Sequence, residues 1–456
     1  MHDLSTTLVA VATPPGRGGV GCLRISGDRA VDIANRLFQP SGKRSPTSAD
    51  RPCFGRFRGR DGRPLDHGYL VIFPARRSYT GELTAELWPH GSPAVLAELV
   101  EGAIAAGAQA AGPGELTYRA LRNGRLDLAR AEAVRDLVAA RTLYQARVAF
   151  AQADGALSRR LGPLRESLEE WIARGEAAVE FVDESETHLP GGELQRAIEQ
   201  AREVCSELLA GFRAGRVLRE GARLVIVGRP NAGKSSLFNR LLSNERAIVT
   251  EIEGTTRDTL EEQLELDGIP VRLVDTAGLR SVRDPIESEG VRRAKQAREE
   301  ADLVLLVFDG ACPLQEVELK ALRRAEQPPE TERTVVVVNK CDLNGARTMP
   351  VPHPEVLRVS ARTGEGLDEL RAALRRLLVG NRPVEDPLIT NSRHARALEQ
   401  TEAALGRAAG ASASGLSEEL VLEDLREGML HLGEITGEFT NEDLYDRIFS
   451  TFCIGK

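Results

Sequence analysis

The sequence has 456 residues, of which 41% are hydrophobic and 28% are charged, and its formal net charge is −8 at pH 7. This length and composition predict a globular protein of about three domains, because one hydrophobic core rarely serves so long a chain. The acidic balance excludes a surface that binds nucleic acid indiscriminately. Arginines at positions 56, 58, 60 and 63 form either a local basic face or a solvated loop.

Six cysteines lie at positions 22, 53, 205, 312, 341 and 453, and no pair has Cys-x-x-Cys spacing. This pattern excludes a zinc ribbon and a dithiol redox motif, and it indicates a reducing compartment. The first residues lack the basic start and apolar run of a signal peptide, and the longest apolar runs are too short to cross a bilayer. We therefore expect a cytoplasmic protein that does not associate with membranes.

The first 122 residues mix short apolar runs with loops rich in glycine and proline. We predict strands at 8–12, 20–25, 68–73 and 85–88, and helices at 29–38 and 93–107. These elements describe an α+β domain at 1–122.

Helical spacing of apolar residues follows, and it predicts the first part of a helical domain at 123–217. From 218 to 382 strands alternate with helices, which predicts a parallel sheet with crossover helices. Helical spacing of apolar residues returns at 383–456. One predicted helical face there carries Leu416, Leu420, Leu425, Met429 and Leu432. The predicted fold is multidomain: an α/β domain inserted into an all-α domain, preceded by the α+β domain. Such an insertion is tolerated where the ends of a domain lie close together.

The strongest motif runs from Gly228 to Ser235 and reads G-x-x-x-x-G-K-S between an apolar run and a helical segment. In this strand–loop–helix context, a glycine-rich backbone cradles phosphates at the start of the helix. Lys234 is expected to reach the β- and γ-phosphates, and the hydroxyl of Ser235 is expected to ligate Mg²⁺. The stretch therefore predicts a site for a nucleoside triphosphate.

Three further motifs follow apolar runs, in the order found in GTPase domains: Asp275-Thr276-Ala277-Gly278, Asn339-Lys340-Cys341-Asp342 and Ser360-Ala361. The carboxylate of Asp342 can accept from both the ring N–H and the amino group of guanine. Adenine lacks this pair of donors, so the motif selects GTP. The N–H of Gly278 can donate to the γ-phosphate, and a threonine in the 254–258 loop can complete the Mg²⁺ shell. Together the motifs predict a GTPase domain.

Leu279 occupies the position where Ras-type GTPases hold the glutamine that orients the attacking water. A leucine cannot orient water, so another group must do so. The acids between Asp284 and Glu289 are candidates, and solvated loop acids are the alternative explanation for them.

Stretches along essentially the whole chain resemble the MnmE (TrmE) family of tRNA modification GTPases. They include ATPPGRGGVGCLRISG at 12–27, YTGE at 79–82, NGRLDLARAEAV at 123–134, GRPNAGKSSLFN at 228–239, GTTRD at 254–258, DTAGLR at 275–280, ITNSRH at 389–394 and the terminal FCIGK. The resemblance implies a folate-binding N-terminal domain that forms a homodimer, a helical domain, and a GTPase domain activated by potassium. It also implies an FAD-dependent MnmG-type partner, in an expected heterotetramer. Together they would install an aminomethyl-type or carboxymethylaminomethyl group on C5 of the tRNA wobble uridine, with a carbon from methylene-tetrahydrofolate.

The resemblance also assigns roles to residues of the GTPase domain. It implies Mg²⁺ ligands at Ser235 and Thr256, and K⁺ ligands at Asn231, Thr250, Ile252 and Thr255. K⁺ would stabilise the charge on the phosphates, and Glu287 matches the glutamate that orients water. The full set of expected GTP-binding residues is Asn231, Ala232, Gly233, Lys234, Ser235, Ser236, Thr250, Glu251, Ile252, Glu253, Gly254, Thr255, Thr256, Asp275, Thr276, Ala277, Gly278, Asn339, Lys340, Asp342, Ser360 and Ala361.

The folate contacts implied by the resemblance are Arg24, Glu82, Arg125 and Lys456, for a ligand such as 5-formyl- or methylene-tetrahydrofolate. A carboxylate such as that of Glu82 suits the N–H donors of a pterin, and cations suit the anionic glutamate tail. Arg125 stands where the family pattern has lysine, so the charge is kept while the geometry differs.

The terminal FCIGK admits three interpretations of Cys453. A prenylation box is disfavoured, because glycine and lysine are poor matches to its last two positions and no polybasic segment precedes it. The cysteine could instead be a small buried apolar residue. The resemblance places the tail at the folate pocket, which makes Cys453 a candidate catalytic residue near the transferred carbon. His90 and His394 lack metal-like spacing and are interpreted as structural.

One alternative function shares the GTPase motifs: a GTP-switched factor for RNA binding or ribosome assembly that performs no covalent chemistry. A folate site in the N-terminal domain would have no purpose in such a factor, so folate binding separates the two hypotheses.

Overall fold

The computed structural model describes residues 4–42, 51–180, 191–244, 261–275, 296, 298–328, 331, 333–343, 350–380, 387–439 and 442–455. The chain folds as two compact units. Unit 1 comprises Met1–Arg135, Gln152–Gly162 and Leu430–Lys456, and unit 2 comprises Asp136–Ala151 and Pro163–Met429. Within the described ranges, no helix is both long enough and apolar enough to cross a membrane.

Unit 1 contains a sheet whose order, among the described strands, is β3-β4-β5-β6-β2-β1-β7. Its strands are β1 Leu8–Val11, β2 Leu23–Ser26, β3 Phe38–Pro40, β4 Cys53–Arg58, β5 Pro64–Phe73, β6 Thr84–Trp88 and β7 Gln109–Ala110. Neighbouring strands are antiparallel except β1 and β7, which run parallel. The predicted strand at 20–25 is shorter than expected, because β2 begins only at Leu23.

One face of this sheet packs against α1 (Ala30–Leu37) and α2 (Pro93–Ala105), as their shared hydrophobic cluster shows. Period-two alternation places Phe57, Leu70 and Leu87 on that face, and all three are buried. The sequence predicted both helices within two residues at each end. The other face carries the polar groups of the candidate site in this unit.

A second cluster in unit 1 is aromatic. Tyr118 on α3 (Glu115–Arg122) packs edge-on against Phe449, at 5.5 Å between ring centroids, on α14 (Glu442–Phe449). Phe452 follows at 5.1 Å from Phe449. These rings fix the end of the chain to α3, which determines where the terminal residues lie.

Unit 2 contains a six-stranded sheet in the described residues, with order β13-β12-β11-β8-β10-β9. The strands are β8 Ala222–Gly228, β9 Glu261–Leu266, β10 Ile269–Asp275, β11 Leu303–Asp309, β12 Thr334–Asn339 and β13 Val356–Arg358. All pairings are parallel except β9 with β10. The sheet is thus parallel as predicted, with one antiparallel edge strand. Helices α9 (Lys234–Asn244), α10 (Glu316–Ala325) and α11 (Leu367–Val379) accompany it. β12 is buried along its whole length, as expected of a parallel strand covered on both faces.

The remaining helices are α4 Leu128–Ala139, α5 Leu143–Ala153, α6 Ala156–Glu180, α7 Gly191–Ala210, α8 Phe212–Glu220, α12 Ser392–Ala413 and α13 Glu418–Thr436. Within unit 2, α7 precedes the sheet in sequence and α12 follows it, and the two helices pack on each other. The helical flanks of the sheet therefore meet, as an inserted domain requires. The domain boundaries at 122, 217 and 382 stay predictions.

The predicted apolar face of α13 is partly wrong. Leu425 and Leu432 are buried, whereas Leu416 and Leu420 are each 53% exposed. Leu416 precedes the helix, which begins at Glu418, and Leu420 lies in its first turn. The buried face instead includes Val421 and Leu422.

Candidate functional site

The predicted phosphate loop connects β8 to α9 in unit 2. Asn231 and Gly233 both have positive φ, at 64° and 86°, so the loop turns sharply before Lys234 begins the helix. A Cβ on Gly233 would overlap the side-chain amide of Asn339, so glycine is required there. The ammonium group of Lys234 donates to the carbonyl oxygen of Arg229 at 2.7 Å, and its side chain is buried against the loop. The loop therefore holds a cation at the start of a helix, which suits a phosphate group.

Asn339 connects this loop to the predicted base-binding segment. Its Nδ2 donates to the carbonyl oxygen of Ala232 at 3.0 Å, and its Oδ1 accepts from the backbone N–H of Ala361 at 3.0 Å. The side chain is buried, so both bonds form away from water. One side chain thus sets the spacing between the phosphate and base subsites.

The base subsite contains an ionised carboxylate. The hydroxyl of Ser360 donates to Oδ1 of Asp342 at 2.6 Å, and this bond holds the pKa of Asp342 below its usual value. Beside it, Lys340 has φ of 68° and its ammonium group pairs with Asp309 at 2.6 Å. A carboxylate kept ionised in this way can accept from two N–H donors of a purine base, which matches guanine.

Strand register brings these groups to one edge of the sheet. Asp309 lies opposite Asn339, Val307 opposite Gly228, and Asp275 opposite Ile226. The carboxyl ends of parallel strands meet at this edge, and β8 lies where the strand order reverses. Ligands of open α/β sheets bind at such a point.

Part of the predicted nucleotide site can be located in the structure and part cannot. Ser235 and Ser236 lie exposed in the first turn of α9, and Asp275 ends β10. Thus one of the two predicted Mg²⁺ ligands, Ser235, and one of the four predicted K⁺ ligands, Asn231, can be located. Outside the described residues lie Thr250, Glu251, Ile252, Glu253, Gly254, Thr255, Thr256, Thr276, Ala277, Gly278 and Glu287. No cluster of three or more His, Cys, Asp or Glu side chains suited to a metal occurs in the part of the chain that is described.

Two of the predicted folate residues of unit 1, Arg24 and Glu82, each belong to an ion pair. Arg24 on β2 donates through Nε and Nη2 to Oε1 of Glu86 on β6, at 2.9 and 2.8 Å. Its guanidinium lies over the ring of Tyr79 at 5.6 Å. Glu82 accepts from Nη1 of Arg119, which lies 3.1 Å from each carboxylate oxygen. Glu86 and Arg119 were not predicted from the sequence, although each pairs with a predicted ligand residue.

Arg125 approaches the same loop as Glu82. A Cβ on Gly81 would lie 2.8 Å from the Cβ of Asn123 and 3.1 Å from the Cγ of Arg125, and Gly81 has φ of 79°. The amide of Asn123 also donates to the carbonyl oxygen of Thr80 at 2.8 Å. The structure therefore brings Arg125 beside the residue that precedes Glu82.

The chain terminus docks on the same sheet. Ile454 pairs with Pro113, and a Cβ on Gly455 would overlap the carbonyl oxygen of Val11. Val11 pairs with Leu23, the residue before Arg24. Cys453 is exposed, so the interpretation of it as a buried apolar residue is wrong. Lys456 lies outside the described residues.

The two singled-out histidines have protein partners. Nδ1 of His90 lies 2.8 Å from Asp66, and the ring of buried His394 lies 3.0 Å from Nη2 of Arg393. Their structural interpretation agrees with these contacts.

The sequence of this chain is similar to those of known protein families. Residues 7–125 match the model described as "GTP-binding protein TrmE N-terminus", and residues 128–453 match the "MnmE helical domain". Curated relatives named "tRNA modification GTPase MnmE" include that of Koribacter versatilis, 42% identical over 458 residues and 100% of both chains. That of Aquifex aeolicus is 42% identical over 98% of this chain and 99% of its own. That of Chloroflexus aurantiacus is 43% identical over 99% and 100%.

Proposed function

The chain belongs to the MnmE family of tRNA modification GTPases, and on this premise we propose that it hydrolyses GTP in the service of modifying C5 of the tRNA wobble uridine. The observation that carries the GTPase assignment is the bridge through Asn339, from Ala232 in the phosphate loop to Ala361 beside the base subsite. This bridge holds a lysine-bearing loop and a guanine-selective carboxylate at a set separation. Because the proposed substrate is tRNA, we propose that the activity is cytoplasmic.

In the proposed mechanism, Lys234 exchanges the carbonyl oxygen of Arg229 for the β- and γ-phosphates of GTP. Asp342 accepts from the guanine base, and the backbone around Gly233 surrounds the phosphates. Ser235 and Thr256 would hold Mg²⁺, and Asn231, Thr250, Ile252 and Thr255 would hold K⁺. These cations would neutralise charge on the phosphates, the task that a supplied arginine performs in other GTPases. Glu287 would orient the attacking water, because Leu279 cannot do so.

The test of this mechanism compares GTP hydrolysis in KCl and NaCl at equal ionic strength, for the native chain, Glu287→Ala and the control Glu316→Ala. Glu316 is an exposed acid of α10 that pairs only with Lys320 in the described part of the chain. We expect strong K⁺ stimulation in the native and control proteins and its loss in Glu287→Ala. Equal rates in both salts would contradict the role of Asn231 and require an arginine or a partner protein instead.

We further propose that unit 1 binds a tetrahydrofolate, either the methylene form as carbon donor or the 5-formyl form as a stable analogue. Arg24, Glu82, Arg125 and Lys456 would contact it. The cationic side chains among these residues would bind its anionic glutamate tail, and the Glu82 carboxylate would accept from pterin N–H groups. An FAD-dependent MnmG-type protein would complete the modification, as part of a heterotetramer. Calorimetric titration with 5-formyltetrahydrofolate tests this proposal, and the absence of binding would favour a GTP-switched RNA-binding or ribosome-assembly factor.

The proposed homodimer would form through unit 1. Phe54, Tyr69 and Trp88 lie side by side on β4, β5 and β6, and they are 50%, 49% and 41% exposed. A contiguous row of exposed aromatic side chains is typical of a protein–protein interface. This row supports self-association on the outer face of the sheet.

A further inference from the structure

Among the described residues of unit 1, Arg119 is the largest fully buried side chain, and its guanidinium pairs with the predicted ligand residue Glu82. We propose that Arg119 is a positioning residue: it orients the Glu82 carboxylate toward the N–H donors of a folate pterin ring. This inference rests on the proposed folate function. It assigns a role to a residue that cannot touch the ligand.

The contacts of Arg119 hold it rigidly. Nη1 donates to the carbonyl oxygen of Thr6 at 2.6 Å, and Nη2 donates to the Thr6 hydroxyl at 3.0 Å. Nη1 also lies 3.1 Å from both Oε1 and Oε2 of Glu82. A guanidinium anchored by Thr6 can therefore hold both oxygens of the Glu82 carboxylate at the same distance from Nη1.

The side chains of Arg119 and Glu82 differ in their exposure to solvent. The side chain of Arg119 is 0% exposed, whereas that of Glu82 is 16% exposed. A ligand can thus reach the Glu82 side chain but not the guanidinium. Any effect of Arg119 on ligand affinity must be transmitted through Glu82 or through the fold.

A second donor to Glu82, the Ser26 hydroxyl, binds only Oε2, so Oε1 stays available to accept from a ligand. The Ser26 hydroxyl donates to Oε2 of Glu82 at 2.8 Å, and it also lies 2.7 Å from the hydroxyl of Thr80. Among the described residues, Arg119 is the only protein partner of Oε1. A carboxylate oxygen has about two lone-pair sites, so Oε1 keeps capacity to accept a further hydrogen bond.

A stabilising role alone does not account for this arrangement. Taking a charge out of water is costly, and buried ion pairs are often no more stabilising than apolar residues of similar size. A buried arginine whose partner is partly exposed is instead suited to hold an acceptor in one orientation before the ligand arrives. Such preorganisation lowers the entropic cost of binding.

The experiment is a double-mutant cycle on the affinity for 5-formyltetrahydrofolate, measured by calorimetry on the full chain. We expect Glu82→Gln to weaken binding about thirtyfold and Arg119→Lys to weaken it about tenfold, in line with the loss of charge-assisted hydrogen bonds. We expect Arg119→Lys to have no further effect in the Glu82→Gln background, because Arg119 acts through Glu82. The control Arg60→Lys changes an arginine that pairs with Glu98 on the surface of the same unit, and it should bind like the native chain.

The outcomes separate this proposal from the proposed function. Failure of the native chain to bind 5-formyltetrahydrofolate would overturn the folate function itself. Native affinity in a folded Arg119→Lys protein, or additive losses in the double variant, would overturn the role of Arg119 alone. If Arg119→Lys does not fold, Ser26→Ala replaces it in the cycle, because this small change removes the other donor to Glu82. Equal, additive losses from Ser26→Ala with and without Glu82→Gln would then contradict an oriented carboxylate.

Discussion

The side-chain amide of Asn339 donates to the carbonyl oxygen of Ala232 across 3.0 Å, although 107 residues separate them in sequence. This bond joins the end of β12 to the loop after β8, two strands that are separated in the sheet by β11. The distance between the phosphate and base subsites therefore depends on one buried amide. Loss of that amide should affect nucleotide binding before it affects the rest of the fold.

We predict that Asn339→Ala weakens GTP binding by at least tenfold and lowers the free energy of unfolding by about 2–6 kcal/mol. The substitution leaves two groups, the carbonyl of Ala232 and the N–H of Ala361, without their buried partner, and each such group costs about 1–3 kcal/mol. Titration with a fluorescent GTP analogue and thermal unfolding measure the two effects. The control Asn239→Ala, on the exposed side of α9, should change neither quantity. Unchanged GTP affinity in Asn339→Ala would contradict the bridging role of Asn339.

Asp342→Asn should transfer base preference from GTP to xanthosine triphosphate. An amide can donate to the ring carbonyl that xanthine has in place of the amino group of guanine, whereas it cannot accept from two N–H donors. Competition between the two nucleotides for the native and variant proteins measures the change. A variant that loses affinity for both, while unfolding at the native temperature, would contradict direct base contact.

The pH dependence of GTP binding follows from the same carboxylate. The Ser360 hydroxyl holds the pKa of Asp342 below its ordinary value, so the carboxylate is ionised at neutral pH. The stability that this ionised group contributes is present above its unfolded-state pKa and is lost as pH falls through the lower folded pKa. We expect Asp342 to cause no loss of affinity between pH 8 and pH 5. Ser360→Ala should move the onset of acid loss to higher pH, and an identical acid profile would contradict the assigned cause.

Tyr69→Asp should convert the proposed homodimer into a monomer. Tyr69 is the central member of the aromatic row, and a carboxylate buried there without a partner is costly. Light scattering at several protein concentrations measures the change. Ile104→Asp introduces the same charge at an exposed apolar position on α2, 43% exposed in the native chain, and it should remain dimeric. Loss of the dimer in both variants would point to general destabilisation.

Thiol reactivity should differ sharply among the cysteines. Burial raises the pKa of Cys22 to about 12, with nearby Glu86 adding to the shift, and burial raises that of Cys205 to about 12 as well. Only a thiolate alkylates rapidly, so these two thiols stay unreactive at pH 8. Iodoacetamide should label the exposed Cys453 and Cys312 first, as peptide mass spectrometry would show. Early labelling of Cys22 would contradict its burial.

Cys453→Ser should abolish tRNA modification while GTP hydrolysis remains near the native rate. The thiol is exposed on a tail that docks beside β1, where the proposed folate site lies, and the GTPase motifs belong to unit 2. Measurement of both activities on the same preparation separates a role in carbon transfer from a role in folding. Loss of both together would indicate that Cys453 supports the structure.

The sequence alone located the phosphate loop, the base-binding motifs and the alternation of strands and helices in unit 2. Each of these is local: a few consecutive residues carry both the backbone conformation and the chemistry, as in the turn from Gly228 through Gly233 to Lys234. Helical and alternating periodicity extends over one element at a time. For this reason α1 and α2 were predicted within two residues at each end.

The tertiary structure alone decided which charges pair and which side chains are exposed. Arg24 meets Glu86 across 62 residues and Arg119 meets Glu82 across 37, because strand register and helix packing bring them together. No local pattern encodes that register, and a shift of one residue would turn each strand side chain to the opposite face. The same holds for Cys453, whose exposure follows from where the rings of Phe449 and Phe452 fix the tail, and for Leu420, whose exposure follows from where α13 begins. Local chemistry can be read from spacing, whereas burial and pairing depend on contacts between distant segments.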